Sequence, residues 1–100
     1  MNNLLKMGIK QETIDKLIEN EDYTSILAIN VDVDNTYRIL LLFSDLGVSD
    51  LDYYLLNYTI LFSKDFNEYK ELLNNVDIDD IKAKTEKDIN YLAEYLLELI

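Results

Sequence analysis

Apolar positions in this chain recur every three or four residues in short runs, and each run is broken by Asp, Asn, Ser or Gly. That rhythm is helical. Residues 2–7 predict a brief turn ended by Gly8, and Ile14, Leu17 and Ile18 predict a helix over residues 11–20, with Glu12 and Asp15 near its positive end. Leu51, Tyr54, Leu55 and Tyr58 form a stripe over residues 49–58, opened by Ser49 with Asp52 three residues on, an approximate capping box. Phe66, Tyr69, Leu72 and Leu73 share one face of a helix over residues 65–74, with Ser63 or Asp65 available as its cap. Asp79 or Asp80 opens the last region. Its main stripe, over residues 88–100, runs through Ile89, Leu92, Ala93, Leu96, Leu99 and Ile100, widened by Tyr91, Tyr95 and Leu97.

One stretch reads two ways. Residues 24–33 are rich in β-branched and apolar side chains, and Asp34-Asn35 could turn a hairpin over residues 24–43, from Thr24 to Phe43, whose second strand covers residues 37–43. The helical alternative gives a short turn over residues 25–29, a cap at Asp34 or Asn35, and a helix over residues 36–46 stopped by Gly47. It is preferred because Gly47 stands where helices end and the matching segment further on is helical. The predicted fold is therefore all-α, about six short helices in one domain over residues 1–100, with an α+β hairpin fold as the alternative.

A phrase also recurs. Tyr23-Thr24-Ser25-Ile26-Leu27 leads through a leucine-rich run into Gly47-Val48-Ser49-Asp50-Leu51, and Tyr58-Thr59-Ile60-Leu61 leads in the same order through Tyr69-Lys70-Glu71-Leu72-Leu73 into Asp77-Ile78-Asp79-Asp80-Ile81. A period of about 30 to 35 residues is typical of stacked helical repeats. The unit, from Gly47 through Leu61 and residues 66–73 to Ile81, with a poorer copy over residues 8–46, resembles the repeat of the mitochondrial transcription termination factor (mTERF) family. The resemblance implies a left-handed, curved solenoid of units that each pack two α-helices and a short third turn. Two features depart from it: Tyr58 and Tyr23 stand where the family usually has proline, and no basic stripe is present to line the groove in which the family holds nucleic acid.

Composition sharpens this. The 100 residues are 49% hydrophobic, with eight tyrosines and three phenylalanines, enough to fill a core despite a net charge of −11. The charge is uneven: between Lys16 and Lys64 the only basic residue is Arg38. Such a field repels phosphate backbones and anionic membranes and attracts basic partners. With no cysteine there are no disulfides or thiolate sites, the start of the chain does not read as a signal peptide, and no apolar run is long enough to span a bilayer, so a cytoplasmic protein is expected.

Candidate chemistry is sparse. Lacking His and Cys, the chain lacks the usual general base, metal ligand and nucleophile, so it is not expected to be an enzyme or to need a cofactor. Asp32-x-Asp34 and Asp77-x-Asp79-Asp80 resemble the start of a calcium loop, but Tyr37 and Phe43 occupy the sixth and twelfth positions counted from Asp32, where glycine and glutamate are needed; helix caps explain both clusters. The expected role is a non-catalytic protein-interaction module that meets a basic partner through Asp50, Asp52, Tyr53, Asp77, Asp79 and Asp80. Tyr53 supplies the aromatic anchor common at interfaces. Self-association through Leu96, Leu99 and Ile100 is a further expectation. The alternative is an acidic inhibitor or nucleic-acid mimic, from a phage or mobile element, that blocks a host nucleic-acid-binding protein.

Overall fold

The computed structural model describes residues 2–19 and 32–99. These residues form seven α-helices and one 3₁₀ turn, with no strand among them. In chain order the helices are α1 (Asn2–Lys6), α2 (Gln11–Glu19), α3 (Val33–Asp45), α4 (Leu51–Asn57), α5 (Phe66–Leu72), α6 (Ile78–Lys87) and α7 (Tyr91–Leu99), with the 3₁₀ turn (Thr59–Ser63) between α4 and α5. The hairpin alternative fails because residues 37–43, its second strand, lie inside α3. Residues 23–27, which open the first copy of the recurring phrase, and the short turn expected over residues 25–29 lie outside the described residues.

Both glycines end helices in the same way. After α1, Ile9 N–H donates to Leu4 O (3.1 Å) and Gly8 N–H to Leu5 O (3.1 Å); after α3, Val48 N–H donates to Phe43 O (3.0 Å) and Gly47 N–H to Ser44 O (3.1 Å). This is the Schellman arrangement, and it needs a positive φ, which Gly8 (91°) and Gly47 (98°) supply. In each case the apolar pair that accompanies the motif, Leu4 with Ile9 and Phe43 with Val48, is buried. The two joints present the following helices, α2 and α4, to each other.

Helix starts are set by aspartate. Asp32, Asp50, Asp65 and Asp77 accept hydrogen bonds from Asn35, Tyr53, Asn67 and Asp80 N–H and open α3, α4, α5 and α6. These replace three sequence expectations and settle a fourth. Asp32, rather than Asp34 or Asn35, caps α3; Asp50, rather than Ser49, caps α4; Asp77, rather than Asp79 or Asp80, caps α6. Asp65, of the two residues offered, caps α5. The final helix starts at Tyr91 rather than residue 88, because Asp88 instead receives Asn90 N–H (3.0 Å) in a turn.

One core joins all the helices, from Leu4 to Leu96. Phe43 of α3 stands at its centre, its ring 5.5 Å from those of Tyr54 and Phe62 and 5.9 Å from that of Tyr69, in edge or tilted contacts that suit aromatic quadrupoles. Thr13, not Ile18, completes the buried face of α2: Ile18 is 65% exposed and Thr13 only 4%. The helical angle that places Ile14 and Leu17 inward also turns Thr13 inward, and its hydroxyl finds a partner there.

Candidate functional site

The first sequence-predicted residues, Asp50 and Asp52, line a cleft of ≈ 370 Å³ between the two glycine joints. Met7 to Lys10 form one wall and Ser49 to Asp52 the other. The two carboxylates do different things in it. Asp50 is exposed and its Oδ1 receives Tyr53 N–H at 3.1 Å, so it caps α4 while keeping its charge at the surface. Asp52 is half-buried, and its Oδ2 receives both Lys10 N–H (2.9 Å) and the Thr13 hydroxyl (2.6 Å). Lys10 sits at the cap position of α2 without an acceptor side chain of its own. Asp52 therefore does from a neighbouring helix what the third residue of a capping box does within one, and it pins α2 to α4.

Tyr53 is likewise committed. Its hydroxyl donates to Asn90 Oδ1 at 2.7 Å, and Tyr58 donates to the same oxygen at 2.6 Å. The buried Tyr54 between them donates to Ile89 O and accepts from Ala93 N–H at 3.2 Å. Ala93 is the third residue of α7, whose N–H has no partner within the helix, so a phenol from α4 caps α7. Burial pushes Tyr54 up to about 12, with the Ala93 N–H opposing the shift. Tyr58 is raised as well, by desolvation first and then by Tyr53. The three tyrosines and Asn90 are a structural knot that holds the last helix to the domain.

The second acidic group lies at the start of α6 and is absent from the cleft at Asp50. Asp77 caps the helix, Asp79 is exposed, and Asp80 pairs with Lys84 at 2.9 Å. Lys84 Nζ also lies 5.6 Å from the centre of the Tyr91 ring, which stacks on Tyr95. The hydrogen bond that it donates to Asp80 is the main reason that the Lys84 ammonium is held above its ordinary range.

Of the residues expected to make an oligomer contact, Leu96 is corrected: it is 0% exposed and belongs to the core. Leu99 is 44% exposed, and Ile100 lies outside the described residues. Leu99 joins Lys64, Glu68, Glu71 and Leu72 around a cleft of ≈ 430 Å³ between α5 and the end of α7.

Two polar residues that organise these surfaces, Thr13 and Asn90, escaped the sequence reading, and a third, Asn35, was read there only as a turn or cap residue. The Asn35 amide donates to Lys64 O (2.8 Å) and accepts from Phe66 N–H (2.7 Å), tying the start of α3 to the start of α5. Around it Asp32, Asp34, Asp65 and Arg38 line a third cleft, of ≈ 290 Å³. Hydropathy spacing carries no signal for such bridges, because each depends on residues about 30 to 40 positions away. Among the described residues no set of carboxylates is placed to hold a metal ion, and no helix is long and apolar enough to cross a membrane. No family model, curated protein or solved structure matches the chain.

Proposed function

We propose that this domain is a non-catalytic protein-interaction module that holds a basic protein partner through its acidic helix starts. The observation that carries the reading is the disposition of charge. Every described carboxylate except Asp52 is exposed, yet only Glu12, with Lys16, and Asp80, with Lys84, stand in ion pairs among the described residues. Most described carboxylates thus keep their charge at the surface outside any ion pair, four of them as caps at helix starts. Such a surface raises the encounter rate with a basic partner and disfavours acidic ones.

Asp50 and Asp79 are the carboxylates to alter, because both are exposed and neither holds two helices together. Asparagine caps a helix about as well as aspartate, so Asp50→Asn removes charge and leaves the fold intact. The immobilised domain and its Asp50→Asn/Asp79→Asn variant would each be used to capture proteins from the native cell, followed by identification of what co-purifies. A basic protein retained by the wild type, weakened by the variant and released by salt is the expected result. Identical captures on both, or capture indifferent to salt, would refute the reading.

A further inference from the structure

The cleft between α5 and α7 joins two exposed glutamates to exposed hydrocarbon, whereas the apolar cleft lined by Met7, Val33 and Tyr37 carries a single carboxylate, Asp34, facing Lys6. Glu68 and Glu71 lie three residues apart on α5, with Leu72 beside them and Lys64 at one end, and Leu99 reaches in from α7. Leu72 is half-buried and Leu99 exposed, as are Glu68 and Glu71. By contrast, the cleft at Asp50 contains the committed Asp52, and the one at Asp32 is ringed by capping aspartates around the Asn35 bridge. A leucine patch rimmed by glutamates is complementary to a helix that carries leucines along one stripe and lysines or arginines beside it.

We propose that the cleft lined by Glu68, Glu71, Leu72 and Leu99 is the docking groove for a basic amphipathic helix of a partner protein. The inference rests on the interaction-module reading above and gives it a place and a partner chemistry. A second copy of this chain is the poorer occupant, because it would bring another net charge of −11 against Glu68 and Glu71. The apolar pair gives the helix something to bury, while the two glutamates set its orientation and make its binding salt-dependent.

The test uses the full chain and a fluorescein-labelled 14-residue peptide of leucine and lysine in helical period, followed by anisotropy at low salt. Glu68→Gln/Glu71→Gln should weaken binding about 3- to 10-fold, the range expected for two surface ion pairs. Leu99→Ser should weaken it roughly 5-fold through lost apolar contact. Glu19→Gln/Asp45→Asn removes the same charge from exposed positions elsewhere and should change binding less than 2-fold, with far-UV circular dichroism confirming that each variant is folded. Equal weakening by both double variants, with no effect of Leu99→Ser, would overturn the groove while leaving the acidic-module reading standing. Failure of the peptide to bind the wild type at all would overturn both. A wild-type dimer in light scattering that is lost in Leu99→Ser would show that a second copy occupies the groove, and would also overturn the proposal.

Discussion

Replacing Gly47 by alanine separates two costs that usually come together. The backbone there has φ of 98°, and an added Cβ would stand 2.8 Å from Lys82 O and 3.1 Å from Glu86 Cγ, both on α6. Holding an L residue at positive φ costs about 1 to 2 kcal/mol. The steric part is additional. Ordinary contact begins at 3.4 Å, so α6 must withdraw by several tenths of an ångström from the α3–α4 joint. A gap of about 0.5 to 1 Å forfeits a quarter to a half of a packing contact, and for buried Ile81 and its neighbours this amounts to about 1 to 2 kcal/mol. The total is about 3 kcal/mol, or a fall in Tm of about 12 to 24 °C for a domain of this size. Gly8 is the control: its φ is 91°, but nothing lies within 4 Å of the added Cβ, so Gly8→Ala should lose only the conformational part, about 1 to 2 kcal/mol. Urea denaturation of both variants followed by far-UV circular dichroism gives the difference directly. Equal losses for the two would refute the claim that α6 packs against Gly47 because it lacks a side chain.

Asp52→Ala should destabilise by about 2 to 3 kcal/mol, since it strips the acceptor from the buried Thr13 hydroxyl and from Lys10 N–H. A loss below about 0.5 kcal/mol in the same denaturation assay would show that Asp52 is only a surface charge. Leu96→Ala should cost about 2 to 5 kcal/mol and Leu99→Ala less than about 1 kcal/mol, because the first opens a cavity in the core and the second trims a half-exposed side chain; similar costs would contradict the difference in burial between the two leucines. Stability should also fall in alkali. Burial raises Tyr54 from 10.0 to about 12 in the fold, so its neutral form contributes fully below pH 10 and the contribution is lost as pH rises from about 10 to about 12. That rise corresponds to a few kcal/mol at most, on the order of 2 to 3, and Tyr69, also raised by burial, acts in the same direction. Melting curves across pH 9 to 12 with tyrosinate absorbance recorded alongside check this; ionisation of all eight tyrosines near pH 10 without unfolding would contradict it.

By itself the sequence determined that the fold is all-α and where most of the described helices lie. Ile14 with Leu17, Phe66 with Tyr69, and Leu92 with Leu96 mark their helices through a spacing that each segment carries locally. Gly47 announced the end of α3 for an equally local reason, its freedom to take positive φ. Caps were legible in kind but not always in place: an Asp, Asn or Ser was expected at the starts of α3 to α6, but which of several nearby residues points its oxygen at a free N–H depends on where the first helical turn closes. Only the tertiary structure decided which polar groups are surface and which are joints. Asp52 and Tyr53 have the composition of a binding surface but are drawn inward by Lys10, Thr13 and Asn90, whereas Asp50 and Asp79 remain exposed. The same holds for Leu96 and Leu99, three residues apart on one stripe, since how far α7 packs on the core separates a buried side chain from an exposed one. A hydrogen bond or an apolar contact between segments tens of residues apart exists only once the helices have packed, so it cannot be written in the period of either one.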